Sequence, residues 1–220
     1  MVSARIRKAA EWRQPEREGI LPCRCHFFVL LLLEKTTYMT EFEKMRASLQ
    51  YSFEDEAVLK SASRANELCV RISQLTLSSP EYRELVQALI PCLPASSVIV
   101  PPFHCDHGHG ISIGEHTFIN YDCIMLDGGY IEIGAHCKIG PRCQFFTPQH
   151  PIDYQERMKP VETCHPITIG NNCWLGGGVT VCPGVTIGDR CVIAAGSVVI
   201  RDIPSDSLVA GNPAVVKRKL

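Results

Sequence analysis

The sequence lacks both a marked excess of charge of one sign and an apolar run long enough to cross a bilayer. Its 220 residues include 22 lysines and arginines and 23 aspartates and glutamates, giving a formal net charge of −1. This balance argues against nucleic acid and anionic membrane surfaces as partners. The longest apolar run, FFVLLLL at 27–33, is far shorter than a spanning helix. It is also a poor signal peptide, because no small-residue cleavage site follows it.

A six-residue repeat runs through 167–204. A period of six fits neither a helix nor a plain strand, but it fits hexads that each form one short strand and one corner. Three hexads close a triangular coil, and stacked coils form a parallel β-helix whose aliphatic anchors point inward. Glycines that follow anchors, as at 170, 176 and 188, are expected at corners that need backbone freedom. The anchors are Ile169, Leu175, Val181, Ile187, Ile193 and Val199.

The repeat extends upstream with two interruptions. Two extra residues follow Met125, in a segment that contains Asp127, and the excursion 146–166 separates the last upstream hexad from Ile167. A loop this long inside a solenoid is typically functional. The predicted β-helix spans 98–205 and is followed by a C-terminal tail, 206–220. The upstream anchors are Ile113, Ile119, Met125, Ile133, Ile139 and Phe145.

Twelve cysteines would suit a disulfide framework, but their spacing favours free thiols. Several occupy the position four residues after an anchor, where small side chains point inward. A buried free cysteine behaves there as a small hydrophobe. We therefore expect reduced thiols and a cytoplasmic protein. The cysteines in this phase are Cys123, Cys137, Cys143, Cys173 and Cys191.

Residues 39–97 are predicted to form a helical cap. Thr40 and Glu43 have capping-box spacing, and apolar residues recur at helical spacing between about 54 and 90. Such helices would cover the unpaired strand edges at the N-terminal end of the solenoid. Residues 1–38 show no period and are expected to be a disordered extension.

His150 is the strongest candidate for a catalytic residue, because it lies in the long excursion. Pro151 favours an extended backbone at His150 and so restricts the direction of the ring. Imidazole titrates near ~6.5, which suits a general base at neutral pH. An exposed loop histidine without a role is the alternative.

Several motifs together give residues 39–220 a resemblance to a known family. The chain resembles the hexapeptide-repeat acyltransferases, specifically the maltose/galactoside O-acetyltransferase group. The motifs are MTEFEKM at 39–45, PPFHCD at 101–106, INYD at 119–122, Leu126-Asp127, TPQHP at 147–151, PITIGNNCW at 166–174 and GNP at 211–213.

The resemblance implies a left-handed β-helix, although handedness does not follow from the period and departs from the usual crossover rule. It also implies a homotrimer with active sites between subunits, acetyl-CoA as donor, a sugar-like hydroxyl as acceptor and no metal. His150 falls at the family's catalytic base, and the backbone N–H of Gly177 at its oxyanion donor.

Further positions follow from the same resemblance. Asp106, Asn120 and Asp127 match positions that line the acceptor pocket, although corner turns are the alternative for Asn120 and Asp127. Glu162, on the excursion, either orients His150 or touches the acceptor. The residues expected along the coenzyme are Trp174, Gly177, Ala195, Lys217 and Arg218, and an ordinary basic tail is the alternative for the last two.

The chain also departs from the family pattern. Phe53 stands where an acidic acceptor-side residue is expected, and Val215 stands where an arginine often contacts the coenzyme. Two alternative hypotheses for the function stay open: a non-catalytic hexapeptide scaffold, and a zinc enzyme similar to γ-type carbonic anhydrase. The histidines that suggest zinc are His104, His107, His109, His116 and His136.

Overall fold

A computed structural model of the protein describes residues 39–220, so the predicted extension 1–38 lies outside the described residues. Within that range no helix is long and apolar enough to span a bilayer. The four helices of the described range are α1 (Glu41–Arg46), α2 (Glu56–Ser73), α3 (Tyr82–Leu89) and α4 (Tyr154–Arg157).

Most strands are only two or three residues long, as expected for hexads. In order they are β1 (Tyr51–Ser52), β2 (Val98–Ile99), β3 (Phe103–Cys105), β4 (Ile111–Ile113), β5 (Phe118–Ile119), β6 (Cys123–Leu126), β7 (Ile131–Ile133), β8 (Lys138–Ile139), β9 (Gln144–Phe146), β10 (Pro148–Gln149), β11 (Val161–Cys164), β12 (Ile167–Ile169), β13 (Trp174–Leu175), β14 (Thr180–Val181), β15 (Thr186–Ile187), β16 (Val192–Ile193), β17 (Val198–Val199), β18 (Ser207–Gly211) and β19 (Ala214–Lys219).

These strands stack into three sheets that form the three faces of a solenoid. Face 1 has the order β15-β12-β7-β4, and face 3 has the order β17-β14-β9-β6-β3. Face 2 is the longest, with the order β19-β18-β16-β13-β8-β5-β2. Every pairing within a face is parallel except that of β18 with β19. The predicted parallel β-helix is confirmed.

The inward phase of the repeat is confirmed as well. The six anchors from Ile169 to Val199 expose at most 1% of their surface. The residues four positions later are also buried, and the cysteines among them are free thiols. These thiols donate hydrogen bonds across coils, as from Cys173 Sγ to the carbonyl of Gly188 at 3.1 Å. Thiols therefore fill the narrow interior and also satisfy corner carbonyls.

The glycines after anchors are at corners, but the expected reason was wrong. The corner residues with positive φ come two positions later and are often not glycine, as with Asn172 (57°) and Arg190 (55°). The glycines are needed because adjacent coils approach closely. A Cβ on Gly170 or on Gly176 would lie 2.6 Å from the backbone nitrogen of the next coil, which a real side chain cannot tolerate.

The solenoid begins one coil earlier than the first recognised hexad. β2 pairs in parallel with β5, and β3 pairs with β6. Ile99 and Cys105 therefore occupy the anchor phase, and Phe103 fills the position four residues after Ile99. Leu85 and Leu89 of α3 belong to the same buried cluster, so α2 and α3 extend the core beyond the first coil.

The segment 206–220 is integrated into face 2. β18 pairs in parallel with β16, and β19 folds back antiparallel onto β18. A bulge between Leu208 and Val209 shifts the register of this final pair. The residues set apart as a tail therefore close one end of the face.

Length variation is confined to one corner of the solenoid. Anchors are always six residues apart from face 1 to face 2 and from face 2 to face 3. From face 3 to face 1 the spacing is eight after Met125 and twenty-four after Phe145. We call this the loop corner, and we call the corner between faces 2 and 3 the groove corner.

A small sheet that periodicity did not predict holds the excursion in place. Its order is β1-β11-β10, and both pairings are antiparallel. A separate buried cluster supports it, made of Met45, Tyr51, Val58 and Cys164. The first helix thus packs on the excursion, whereas the sequence predicted that all three N-terminal helices would cover the solenoid end.

Candidate active site

The small sheet brings three side chains from distant parts of the chain together. His150 directly follows β10, Glu162 lies on β11, and Tyr51 lies on β1. Tyr51 and Glu162 are direct cross-strand partners. Because β1 belongs to the N-terminal segment, the loop corner and that segment build the site jointly.

His150 is held by a carboxylate and an aromatic edge. Its Nδ1 lies 3.4 Å from Glu162 Oε2, and its ring lies 6.0 Å from that of Phe53 in a T-shaped arrangement. The Tyr51 hydroxyl donates to the other oxygen, Glu162 Oε1. The imidazole side chain is still 57% exposed. With Nδ1 facing a carboxylate, Nε2 is the nitrogen left to accept a proton from a substrate.

Asp106 carries a half-buried carboxyl group whose pKa is influenced by Glu162. Burial is the main cause that raises its pKa to about 7, and the charges of Asp127 and Glu162 add to the effect. Near neutral pH this side chain can therefore donate or accept a hydrogen bond.

Asp127 has a different environment from the one the resemblance implied. It is fully buried, and its carboxylate accepts backbone hydrogen bonds from His107 (2.8 Å), Gly108 (3.1 Å) and Gly110 (2.9 Å). The Arg46 guanidinium lies 3.9 Å away. These bonds fix the chain after Asp106. The geometry favours turn formation, the alternative role, over contact with an acceptor.

A groove of about 660 Å³ runs along the outer surface of face 2 and the groove corner. Four predicted site residues line it together: Asn120, Trp174, Gly177 and Ala195. Trp174 is 58% exposed, as expected for a residue just before an anchor. The structure thus unites the acceptor-side Asn120 with three of the predicted coenzyme positions.

Two backbone amides at this corner lack partners. Within residues 39–220, the N–H groups of Gly177 and Ala195 donate to no acceptor. The corner between faces 1 and 2 behaves differently, because Ala135 N donates to Asn171 Oδ1 at 2.9 Å and so finds a partner in the next coil. Unpaired amides facing a groove are suited to bind a carbonyl or an oxyanion.

The predicted phosphate-binding residues lie at the C-terminal end of the same face. Arg218 on β19 is the cross-strand partner of Leu208, which lines the groove. Lys217 is the extra residue at the bulge, and both basic side chains are exposed. Their position is compatible with contact to a ligand that extends along the groove.

His150 and the groove stand at different corners of one subunit. The excursion leaves face 3 toward face 1, whereas Asn120 and Gly177 follow strands of face 2. The chain therefore carries His150 and the groove at separate edges of the prism.

Four of the five histidines that suggested zinc contact other side chains. His107 Nδ1 lies 3.0 Å from Ser61 Oγ, and His109 Nδ1 lies 3.0 Å from Arg46 Nη2. His116 and His136 stack at 4.9 Å because they occupy equivalent corners of adjacent coils. Across 39–220, no group of three or more His, Cys, Asp or Glu is arranged to hold a metal.

Sequence reasoning did not assign a role to Tyr51 or to Lys138, which also lines the groove. For Lys138 a signal was available, since it stands one residue before the anchor Ile139 and must point outward like Trp174. For Tyr51 the signal was absent, because its pairing with β11 has no sequence pattern.

A triangular parallel β-helix built from six-residue repeats defines the hexapeptide-repeat class of proteins. The family description "Bacterial transferase hexapeptide (six repeats)" matches residues 166–201. The chain is 43% identical to the hexapeptide-repeat-containing acetyltransferase VCA0836 of Vibrio cholerae O1 biovar eltor, complexed with acetyl coenzyme A. That match covers 83% of this chain and 99% of the other, with a TM-score of 0.77.

Two further relatives are similar to this chain over most of its length. A maltose O-acetyltransferase from Clostridium difficile 630 is 39% identical, covers 83% of this chain and 98% of its own, and has a TM-score of 0.80. Nodulation protein L of Rhizobium meliloti is 38% identical over 81% of this chain and 98% of its own length. The chain belongs to the hexapeptide-repeat acetyltransferase family.

Proposed function

We propose that the protein transfers the acetyl group of acetyl-CoA to a hydroxyl of a saccharide or a similar small acceptor. The observation that carries the proposal is the groove, in which Trp174, Gly177 and Ala195 lie beside Asn120. A relative with 43% identity has acetyl coenzyme A bound, and another is a maltose O-acetyltransferase.

In the proposed mechanism His150 Nε2 takes the proton of the acceptor hydroxyl while its oxygen attacks the thioester carbonyl. The N–H of Gly177 donates to the oxyanion of the tetrahedral intermediate, and one such donor is typically worth about 2.7–4 kcal/mol. Collapse of the intermediate breaks the C–S bond. The imidazolium of His150 returns its proton to the sulfur, releasing coenzyme A and the acetyl ester.

We propose that the working unit is a homotrimer in which His150 of one copy faces the groove of its neighbour. The separation of base and groove within one subunit supports this arrangement. Exposed apolar side chains on the excursion supply contact surface, since Ile152 and Met158 expose 87% and 76% of their surface. Mass measurement in solution tests the stoichiometry.

The test of the reaction is acetyl-CoA turnover, followed as free-thiol release with a panel of mono- and disaccharides. A blank without acceptor corrects for the protein's own cysteines. Saccharide-dependent release is the expected result. If no thiol is released and the protein does not bind acetyl-CoA, the result would favour the alternative hypothesis of a non-catalytic scaffold.

The contact of Glu162 with Tyr51 leads to a prediction about orientation. Tyr51→Phe removes only the hydroxyl that donates to Glu162 Oε1. We expect kcat to fall roughly tenfold with little change in KM, because a looser carboxylate holds the His150 ring less well. This size corresponds to about one hydrogen bond to a charged group.

A double-mutant cycle separates this effect from a loss of packing. In a Glu162→Gln background the Tyr51→Phe change should have little further effect on kcat, since both changes break the same chain of contacts. Fully additive losses would show that Tyr51 acts independently of Glu162. Melting curves of all four proteins control for stability.

A further inference from the structure

The groove has one charged side chain among the residues that line it, all of which lie in the described range. This residue is Lys138, and its other neighbours there are mostly apolar side chains and backbone. It projects from β8 between Phe118 on β5 and Trp174 on β13, which are its direct partners in register. A lysine at this point places a positive charge on an apolar wall.

Lys138 has no countercharge in its own subunit. Within residues 39–220 it forms no ion pair and no side-chain hydrogen bond, whereas Lys44 pairs with Glu41 and Lys159 pairs with Glu156. The side chain is exposed to the groove. An unpaired lysine side chain that stands in register between two aromatic residues is available to a ligand.

The position of Lys138 along face 2 identifies which part of a ligand it meets. It is one strand from Asn120, which follows β5, and one strand from Gly177, which follows β13. Arg218 on β19 is four strands away, each step spanning about 4.8 Å. Lys138 therefore lies beside the reacting groups and far from the end of the groove where coenzyme phosphates would bind.

We propose that Lys138 selects an acceptor that carries a carboxylate, such as an acidic saccharide with a free hydroxyl. The inference rests on the proposed function and adds the chemical class of its acceptor. A lysine ammonium is a compact point charge that attracts a carboxylate without imposing one fixed geometry. The apolar walls of the groove strengthen that attraction relative to open water.

The carboxylates nearest the predicted base differ in their surroundings. Glu162 accepts from Tyr51 and contacts His150. Burial raises the pKa of Asp106 to about 7, so this carboxyl is partly protonated near neutral pH. An ion pair between Lys138 and a carboxylate of a second copy is a distinct outcome of the test.

The experiment compares an acidic and a neutral acceptor in each of two pairs. Propyl glucoside and 2-carboxyethyl glucoside carry the same sugar hydroxyls and differ in the charge of the aglycone. In the second pair, methyl glucuronide has a carboxylate in place of the C6 hydroxymethyl group of methyl glucoside. The measured quantity is the ratio of kcat/KM for the acidic member to that for the neutral member. Wild type is expected to favour the acidic member of at least one pair, and Lys138→Leu should lower that ratio roughly tenfold.

Two further variants sharpen the comparison. Lys138→Arg keeps the charge and should keep the preference. Arg71→Leu removes an exposed positive charge from α2, outside the groove, and should leave the ratio at its wild-type value. These variants separate a local contact from a change in overall charge.

Each other result overturns the inference in a recognisable way. Equal use of acidic and neutral acceptors by wild type would refute it while leaving the proposed function intact. A rise of the KM for acetyl-CoA in Lys138→Leu, with the ratio unchanged, would assign Lys138 to the donor. Loss of the oligomer in that variant would assign it to an ion pair between copies. No thiol release with any acceptor would refute both proposals.

Discussion

Replacing His150 by alanine is expected to lower acetyl-CoA turnover by about 10²–10⁴-fold, the usual contribution of a positioned general base. The imidazole is largely exposed, and it contacts Phe53 and the Glu162 carboxylate. Its removal should therefore leave the fold unchanged. The loss should appear in kcat, because the proton transfer occurs in the transition state.

The measurement is thiol release at saturating acetyl-CoA, with the melting temperature recorded for the same samples. His136→Asn is a matched control, because His136 is another corner histidine and its positive φ of 58° is one that asparagine tolerates. Turnover near wild type in a folded His150→Ala protein would overturn the assignment of the base. A similar loss in the control would point to a general effect of histidine removal.

Replacing Asp127 by alanine is expected to cost about 3–5 kcal/mol of unfolding free energy, the range for breaking a buried ion pair. Three backbone N–H groups, those of His107, Gly108 and Gly110, would lose their acceptor. The Arg46 guanidinium would lose its nearby carboxylate. Buried donors without partners carry the full cost of desolvation.

Denaturant unfolding at one fixed protein concentration measures this effect, since an oligomer's stability depends on concentration. Glu132→Ala is the control, because Glu132 projects outward from β7 and is exposed. A small change in stability with a large rise in the acceptor KM would contradict the structural role. It would instead restore the acceptor-binding role that the resemblance implied for Asp127.

The solenoid was predictable because its signal is local and repeated. Each hexad places an aliphatic anchor, a corner and a small inward residue at fixed intervals, so one phase error would expose a whole column. The buried cysteines followed from the same phase. Glycine positions were also predictable, although close coil approach at Gly170 and Gly176, and not positive φ, is what requires them.

The small sheet was not predictable in the same way. It pairs two residues of the N-terminal segment with an excursion more than a hundred positions later, at Tyr51 and Glu162. Strands of two to four residues without alternation carry no periodic signal. The Tyr51–Glu162–His150 chain depends on that pairing, so it could be found only in three dimensions.

Part of the groove could be predicted from the sequence. The resemblance assigned Asn120, Trp174, Gly177 and Ala195, and they do line one groove. The resemblance did not assign a role to Lys138, because this residue lies outside the motifs that carry the resemblance. The outward phase one position before Ile139 would have placed its charge on the same wall.

The loop corner and the groove corner of the solenoid differ in how much their loop lengths vary. At the groove corner, every anchor-to-anchor spacing in residues 39–220 is six residues. The loop corner has absorbed eight-residue and twenty-four-residue spacings, and the coils on either side keep their register. His150, Glu162 and Asp127 all lie at that corner, whereas Gly177 and Ala195 lie at the other. Insertions at the loop corner can therefore remodel the surroundings of His150 and Glu162, while the wall of the groove keeps its regular spacing.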